Sequence, residues 1–208
     1  MSVLVDIIGS SFVSRLDNFI KANEQLWNFG LDPDFARVAV HGIGGLTVPN
    51  LQCHDTRLAW QTPDIVILHC GANDLSRDKR PSLNVAIDLH DYAQHLRHDF
   101  HVDHVVMCSA LKCYSVKEDG TLKFGISEDI FNDKVSQLNV HLSYLFDSPS
   151  LHFWDLASLQ GLYTSVTGID WWDGVHLNLS GMKKYYRELC GAIVTYAKPL
   201  QADPAVNY

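Results

Sequence analysis

Apolar positions along the chain switch between two spacings, and the switching sets out a string of strands and helices. Val3-Leu4-Val5-Asp6-Ile7-Ile8 is a run of β-formers, after which Val13, Leu16, Phe19, Ile20 and Leu26 recur at helical spacing, predicting a helix from Val13 to about Leu26. A loop with Gly30 and Pro33 leads to a second strand, Phe35 to His41, and a helix is expected from about Pro49 to Trp60. Pro63 to Cys70 is an almost unbroken apolar run, as expected for a central strand covered on both faces. Val85, Leu89, Tyr92 and Leu96 form one stripe of a helix over 84–99, and Val105 to Ala110 reads as a fourth strand. Residues 113–127 hold the turn signal Lys117-Glu118-Asp119-Gly120 and predict a loop or small hairpin. A helix from about Asp129 to Leu145, a short strand from Leu151 to Asp155 and a last helix from about Ser180 to Ala197 complete the pattern.

Strands alternating with helices imply a parallel sheet with helices on both sides, a three-layer α/β/α sandwich. At 208 residues the chain fits one domain, expected over 1–198, with a frayed tail over 199–208. The pattern itself leaves strand order open. It does say where to look for chemistry, because ligands of such sheets sit at the carboxyl ends of strands where the winding reverses.

Composition narrows the partners. A net charge of -8 argues against nucleic acid as an electrostatic partner, and 47% apolar with 19% charged residues is the balance of a soluble globular protein. The apolar opening is short, carries Asp6 and lacks a basic flank, so it reads as a strand and not a signal peptide, and no segment approaches membrane-spanning length. Cys53, Cys70, Cys108, Cys113 and Cys190 are an odd number without C-x-x-C spacing; a reducing, cytoplasmic setting is expected.

Three strand ends carry polar groups that a plain turn does not require. The first strand stops at Gly9 and hands over to Ser10 and Ser11 at the start of a helix, where a hydroxyl can act as nucleophile, hold an anion or cap the helix. The second ends in Gly42-Ile43-Gly44-Gly45-Leu46-Thr47 and the third in Gly71-Ala72-Asn73-Asp74. Far along the chain, Asp173-Gly174-Val175-His176 sets a carboxylate three residues before an imidazole, ahead of the last helix. On a turn, Asp173 can accept from Nδ1 of His176 and leave Nε2 free to take a proton from a serine; an ordinary turn with a packed histidine is the alternative.

In that order the four blocks resemble the SGNH, or GDSL-type, hydrolases over nearly the whole chain. The resemblance implies a flavodoxin-like fold with strand order 2-1-3-4-5. It implies Ser11 as nucleophile, Asp173 and His176 as its partners, and an oxyanion hole built from Ser11, Gly45 and Asn73. The implied activity is hydrolysis of a small or lipid-like acyl ester, such as an acetylester, with no metal or organic cofactor. Two departures stand out. The family's aspartate before the nucleophile is Ser10 here, which leaves Ser10 as a second reactive hydroxyl, and the aspartate that often follows the second-block glycine is Leu46. The Gly9-Ser10-Ser11 wording, Asp173 to Leu177 and the helix start Gly181 to Tyr186 also resemble SGNH domains encoded by animal retroelements and genes derived from them. A non-catalytic SGNH-like binding or scaffold domain is therefore the alternative reading.

Other features point less sharply. Histidines at 90, 95, 98, 101 and 104 lack the cysteine or acidic ligands of familiar metal spacing and read as a solvated face. Arg77, Lys79 and Arg80 follow Asn73 and suit either an anion-binding rim or a solvated loop. Trp171 and Trp172 suit a substrate pocket or core packing, and 113–127 could form a partial lid.

Overall fold

The computed structural model describes residues 2–77, 80–160 and 171–202. Its centre is a five-stranded sheet, β1 Val3–Gly9, β2 Ala36–Gly42, β3 Ile65–His69, β4 His104–Cys108 and β5 Leu151–Trp154, in the order β2-β1-β3-β4-β5 with every neighbouring pair parallel. Helices α1 Ser11–Lys21, α2 Asp55–Trp60, α3 Ala72–Arg77, α4 Ser82–Asp99, α5 Glu128–Leu145, α6 Ala157–Gln160 and α7 Leu179–Ala202 fill the connections. The winding reverses between β1 and β3, so β1, β2 and β3 finish side by side: Gly9 lies in register with Gly42 on one side and with His69 on the other.

Alternation along the strands divides the core in two. Ile8, Val66 and Leu68 point to the side of α4 and α5, where Leu89, Leu96, Leu138 and Leu142 meet them. Ile7, Ile65 and Ile67 point to the side of α1 and α7, against Leu16, Tyr185, Leu189 and Ile193. All five residues of β3 are buried, which is why Pro63 to Cys70 reads as continuous rather than alternating.

Boundaries move where local chemistry outweighs periodicity. α1 ends at Lys21, because the Asn23 amide donates to the carbonyl of Phe19 and takes up an acceptor at the helix end. Leu26 falls in a kinked 3₁₀ segment, Glu24–Gly30, in which Asn28 and Phe29 have left-handed backbone (φ 52° and 55°). The buried Asn28 side chain accounts for that kink: its amide donates to the carbonyls of Leu31 and Ala36, and its oxygen accepts from the Val38 N–H, fixing the start of β2. The expected helix from Pro49 opens as a 3₁₀ segment, Val48–His54, and becomes α-helical at Asp55. At six residues, α3 is too short to show a period and was not expected. α7 runs through Pro199 to Ala202 rather than ending at Ala197, and Thr195 donates its hydroxyl to the Gly191 carbonyl one turn before. The segment 113–127 does form a small hairpin, closed by an antiparallel bridge between Thr121 and Ser127.

Two glycines let α1 lie against the strand ends. A Cβ on Gly42 would stand 1.9 Å from the Ser14 nitrogen and 2.2 Å from its Cα, and one on Gly9 would stand 2.4 Å from the His69 carbonyl oxygen. These are backbone atoms that cannot step aside. Gly42→Ala is therefore expected to destabilise the fold by at least about 2 kcal/mol, the cost of overpacking a site with no room to relax, measured as a lower urea midpoint at unchanged slope.

Candidate active site

The turn after β1 is stitched to its neighbours through main chain. The Ser10 N–H donates to the His69 carbonyl at 3.2 Å, the Ile43 N–H donates to the Gly9 carbonyl at 2.9 Å, and the Ser14 N–H donates to the Ser10 carbonyl at 3.0 Å to start α1. Ser10 occupies the N-cap position, yet its side chain makes no capping bond. The two serines differ in access. Ser10 is 5% exposed, whereas Ser11, the first residue of α1, is half-buried, and its hydroxyl has no hydrogen-bond partner among the described residues.

The second and third strand ends are tied together by side chains of α3. Asn73 donates its amide to the Leu46 carbonyl at 2.9 Å, and the buried Asp74 carboxylate accepts from the Val48 N–H at 3.1 and 3.2 Å. Between these anchors the chain turns through Gly45 at φ 73°, a conformation natural to glycine, and the turn is closed by the Leu46 N–H on the Ile43 carbonyl. Leu46, standing where a carboxylate is common in the resembled family, is buried in the core on the α4 and α5 side.

The loop ahead of α7 is a tight hairpin with one carboxylate at its centre. Trp171 pairs with Leu177, and the Trp172 N–H donates to the His176 carbonyl at 2.8 Å. Asp173 Oδ1 accepts from the backbone N–H groups of His176 (2.7 Å) and Val175 (3.1 Å), while Oδ2 lies 2.9 Å from His176 Nδ1. Gly174 (φ 75°) is required at the tip, since a Cβ there would stand 2.0 Å from the Tyr114 carbonyl oxygen. A lysine from the 113–127 hairpin joins the pair: Lys123 Nζ donates to Asp173 Oδ2 at 2.8 Å and stands 3.2 Å from His176 Nδ1. Burial alone would raise the Asp173 carboxyl, but hydrogen bonds from Lys123, then from His176 and the Val175 N–H, outweigh it and hold the group well below the usual carboxylate range. For His176, burial lowers the pKa, the bond to Asp173 raises it, and the charges of Arg15 and Lys123 lower it, leaving a net depression.

Phe12 connects the serine turn to this hairpin. Its ring centroid lies 6.3 Å from that of His176, 6.2 Å edge-on from Trp171, and 5.2 Å from His69, on which it stacks. Below it, His69 Nδ1 meets the Tyr185 hydroxyl at 2.6 Å, and burial pushes the His69 pKa down to about 4. This floor is buried and uncharged at physiological pH.

Of the residues singled out by sequence, Ser11, Gly45 and Asn73 lie in the segments that follow β1, β2 and β3, and Asp173 meets His176 on the hairpin. Of the tryptophan pair, Trp171 packs in the core and Trp172 is 77% exposed. The basic cluster does not act as one: Arg80 pairs with Asp88 at 2.5 Å, while Lys79 and the Arg77 side chain lie outside the described residues. The histidine series disperses, His95 bonding Asp55 and Asp99 and His104 meeting His152; no group of three metal-ligating side chains occurs among the described residues. The five cysteines are free thiols. Sequence spacing had missed Lys123, His69 and Tyr185, which reach the site from other elements with no local motif to mark them.

No family model matches this chain, and no curated protein matches it. Solved structures do. A lipase/acylhydrolase from Enterococcus faecalis is 17% identical, with TM-score 0.66 over 92% of this chain and 95% of that one. A GDSL-like lipase from Bacteroides thetaiotaomicron is 15% identical, with TM-score 0.66 over 93% and 88%. An acetyl xylan esterase is 18% identical, with TM-score 0.65 over 92% and 100%. At such identities the likeness is one of fold, and it extends over nearly the full length of each chain. Among the described residues, no helix is long and apolar enough to cross a membrane.

The buried floor makes stability depend on pH. His69 is neutral in both folded and unfolded chains above its ordinary value of 6.5; between 6.5 and about 4 only the unfolded chain takes up the proton. The contribution of His69 to stability is therefore fully present above pH 6.5 and falls by on the order of 3 kcal/mol as pH drops to about 4. His69→Gln, which keeps a partner for the Tyr185 hydroxyl, is expected to remove about one proton from this dependence in urea unfolding across that range; an unchanged slope would clear His69 as its source.

Proposed function

We propose that this chain is a serine hydrolase of carboxylic esters, of the SGNH type, acting on a small or lipid-like acyl ester such as an acetylester. The observation that carries the reading is the Asp173–His176 pair. Its 2.9 Å contact lies on Nδ1, Nε2 has no hydrogen-bond partner among the described residues, and Phe12 joins the hairpin to a turn whose accessible hydroxyl belongs to Ser11. The burial of Ser10 supports Ser11 as the reactive hydroxyl.

In the proposed reaction the Ser11 oxygen attacks the ester carbonyl as its proton passes to His176 Nε2. Negative charge gathering on the carbonyl oxygen is met by the N–H groups of Ser11 and Gly45 and by Asn73. The Asn73 amide has two donor hydrogens, and the bond to the Leu46 carbonyl uses one, fixing the group while leaving the other for the oxyanion. When the intermediate collapses, the carbon–oxygen bond to the alcohol breaks and His176 returns the proton to the leaving oxygen. Water then attacks the acyl-Ser11, giving its proton to His176. Collapse frees the acid and restores the serine, with every proton carried by the named groups and water. The anionic Asp173 holds the imidazole in place and stabilises it when it becomes charged.

Two variants test the reading in purified, folded protein. Ser11→Ala should abolish hydrolysis of p-nitrophenyl acetate and labelling by a fluorophosphonate, while Ser10→Ala keeps both; the opposite pattern would move the nucleophile to Ser10, and inert wild-type protein would favour a binding or scaffold domain. Asn73→Ala should lower kcat roughly a hundredfold to a thousandfold, the usual effect of removing one oxyanion donor.

A further inference from the structure

Arg15 lies one turn along α1 from Ser11 and is half-buried, yet no hydrogen bond or ion pair engages its guanidinium among the described residues. Residues four apart share a helix face, with Cβ atoms about 6 Å apart, and helical side chains lean toward the N-terminus. Arg15 therefore leans back over the turn that carries Ser11. Its charge is also felt across the gap at the hairpin: after burial, the influences that depress the His176 pKa are the charges of Arg15 and then Lys123. The other charged groups here are already matched. Lys123 Nζ donates to Asp173 at 2.8 Å, Asp173 also faces His176 and two backbone N–H groups, and on α1 Lys21 pairs with Asp17 at 2.6 Å. Arg15 is left as a cation between hydroxyl and imidazole with a vacant donor fork.

We propose that Arg15 is a specificity-determining residue that binds a carboxylate on the alcohol half of the substrate, so that the preferred substrates are acyl esters of hydroxy acids. This rests on the reading of Ser11 and His176 as nucleophile and base, and it leaves the bond broken and the path of the protons unchanged. The planar fork of one guanidinium matches one carboxylate, by two parallel hydrogen bonds and by charge. In a chain of net charge -8 the overall field does not draw anions in, so the discrimination falls to this side chain. The alcohol half is the one concerned because His176 returns its proton to the leaving oxygen, while Gly45 and Asn73 hold the acyl oxygen from the segments after β2 and β3. A carboxylate seated on Arg15 would also offset the positive charge that opposes protonation of His176, at the moment the imidazole must take a proton.

The test compares 4-acetoxybenzoate with its uncharged counterpart 4-acetoxybenzamide at pH 8, above the titration of the imidazole. The wild type should prefer the acid, and in Arg15→Gln the ratio of the two kcat/KM values should fall roughly tenfold to a hundredfold, the usual effect of losing a charge-assisted pair. The loss should appear mainly in KM, because the carboxylate is held equally before and during reaction. Arg15→Lys, which keeps the charge without the fork, should recover part of the ratio. A ratio unmoved in Arg15→Gln would overturn the proposal. So would a dependence on Arg15 confined to mono-p-nitrophenyl succinate, whose charge is on the acyl half. Binding separates this from failure of the hydrolase reading. In NMR titrations of the full chain, 4-hydroxybenzoate should bind more tightly than 4-hydroxybenzamide, and Arg15→Gln should erase the difference. That result in protein inert toward every ester rejects the hydrolase and leaves the carboxylate site standing; in such protein, no difference between acid and amide overturns the site as well.

Discussion

The close approach of α1 to the carboxyl ends of β1, β2 and β3 is the constraint on which the rest depends. It exists because Gly42 has no Cβ where one would meet the main chain of Ser14, and Gly9 none where one would meet the Val13 side chain. With the helix that near, the Ser10 N–H reaches the His69 carbonyl, Ser11 opens the helix at the winding reversal, and Phe12 drops onto His69. Phe12 in turn supports the edge of Trp171 and faces His176, so a packing requirement between helix and sheet also links the serine turn to the hairpin that carries the imidazole. One methyl group at Gly42 would disturb stability and site geometry together.

A second economy is that single side chains close a turn and orient a neighbour at once. Asp173 accepts two backbone N–H groups of its own hairpin with one oxygen and faces the imidazole with the other. Asp74 does the same for the Gly45 turn, pinning Val48 while Asn73, one residue earlier, grips Leu46. This explains how the turn around the serine tolerates Ser10 where the resembled family has a carboxylate. The turn is held through backbone, by Ser10 to His69 and Ile43 to Gly9, and those bonds are indifferent to the side chain at position 10.

What the sequence could show follows the range of the forces involved. Strand identity, the three layers and the grouping of polar strand ends were legible, because burial on both faces leaves continuous apolar runs and because Asp173 and His176 are three residues apart. The 2-1-3-4-5 order came from family resemblance and not from pattern, since nothing in hydropathy says which strands adjoin. The 3₁₀ segment at Glu24–Gly30 was not legible, because it is imposed by Asn28 reaching across to Ala36 and Val38. Lys123 was hidden for the same reason: its partner is fifty residues away, and in the sequence it is one polar residue of a turn.

The two imidazoles nearest the serine turn show how burial divides the work. His69 lies in register with Gly9 at the end of β3, and its carbonyl accepts from the Ser10 N–H. It is fully buried, its Nδ1 is committed to the Tyr185 hydroxyl, and its pKa of about 4 means that it resists taking a proton at neutral pH. No carboxylate contributes to its shift, so an imidazolium there would be bare charge under the sheet ends. His176 sits at the rim beside an anion held ionised by its own hydrogen bonds, where a transient positive charge has a counter-ion. Accepting a proton is thus opposed at His69, whereas at His176 the neighbouring Asp173 carboxylate would offset the charge.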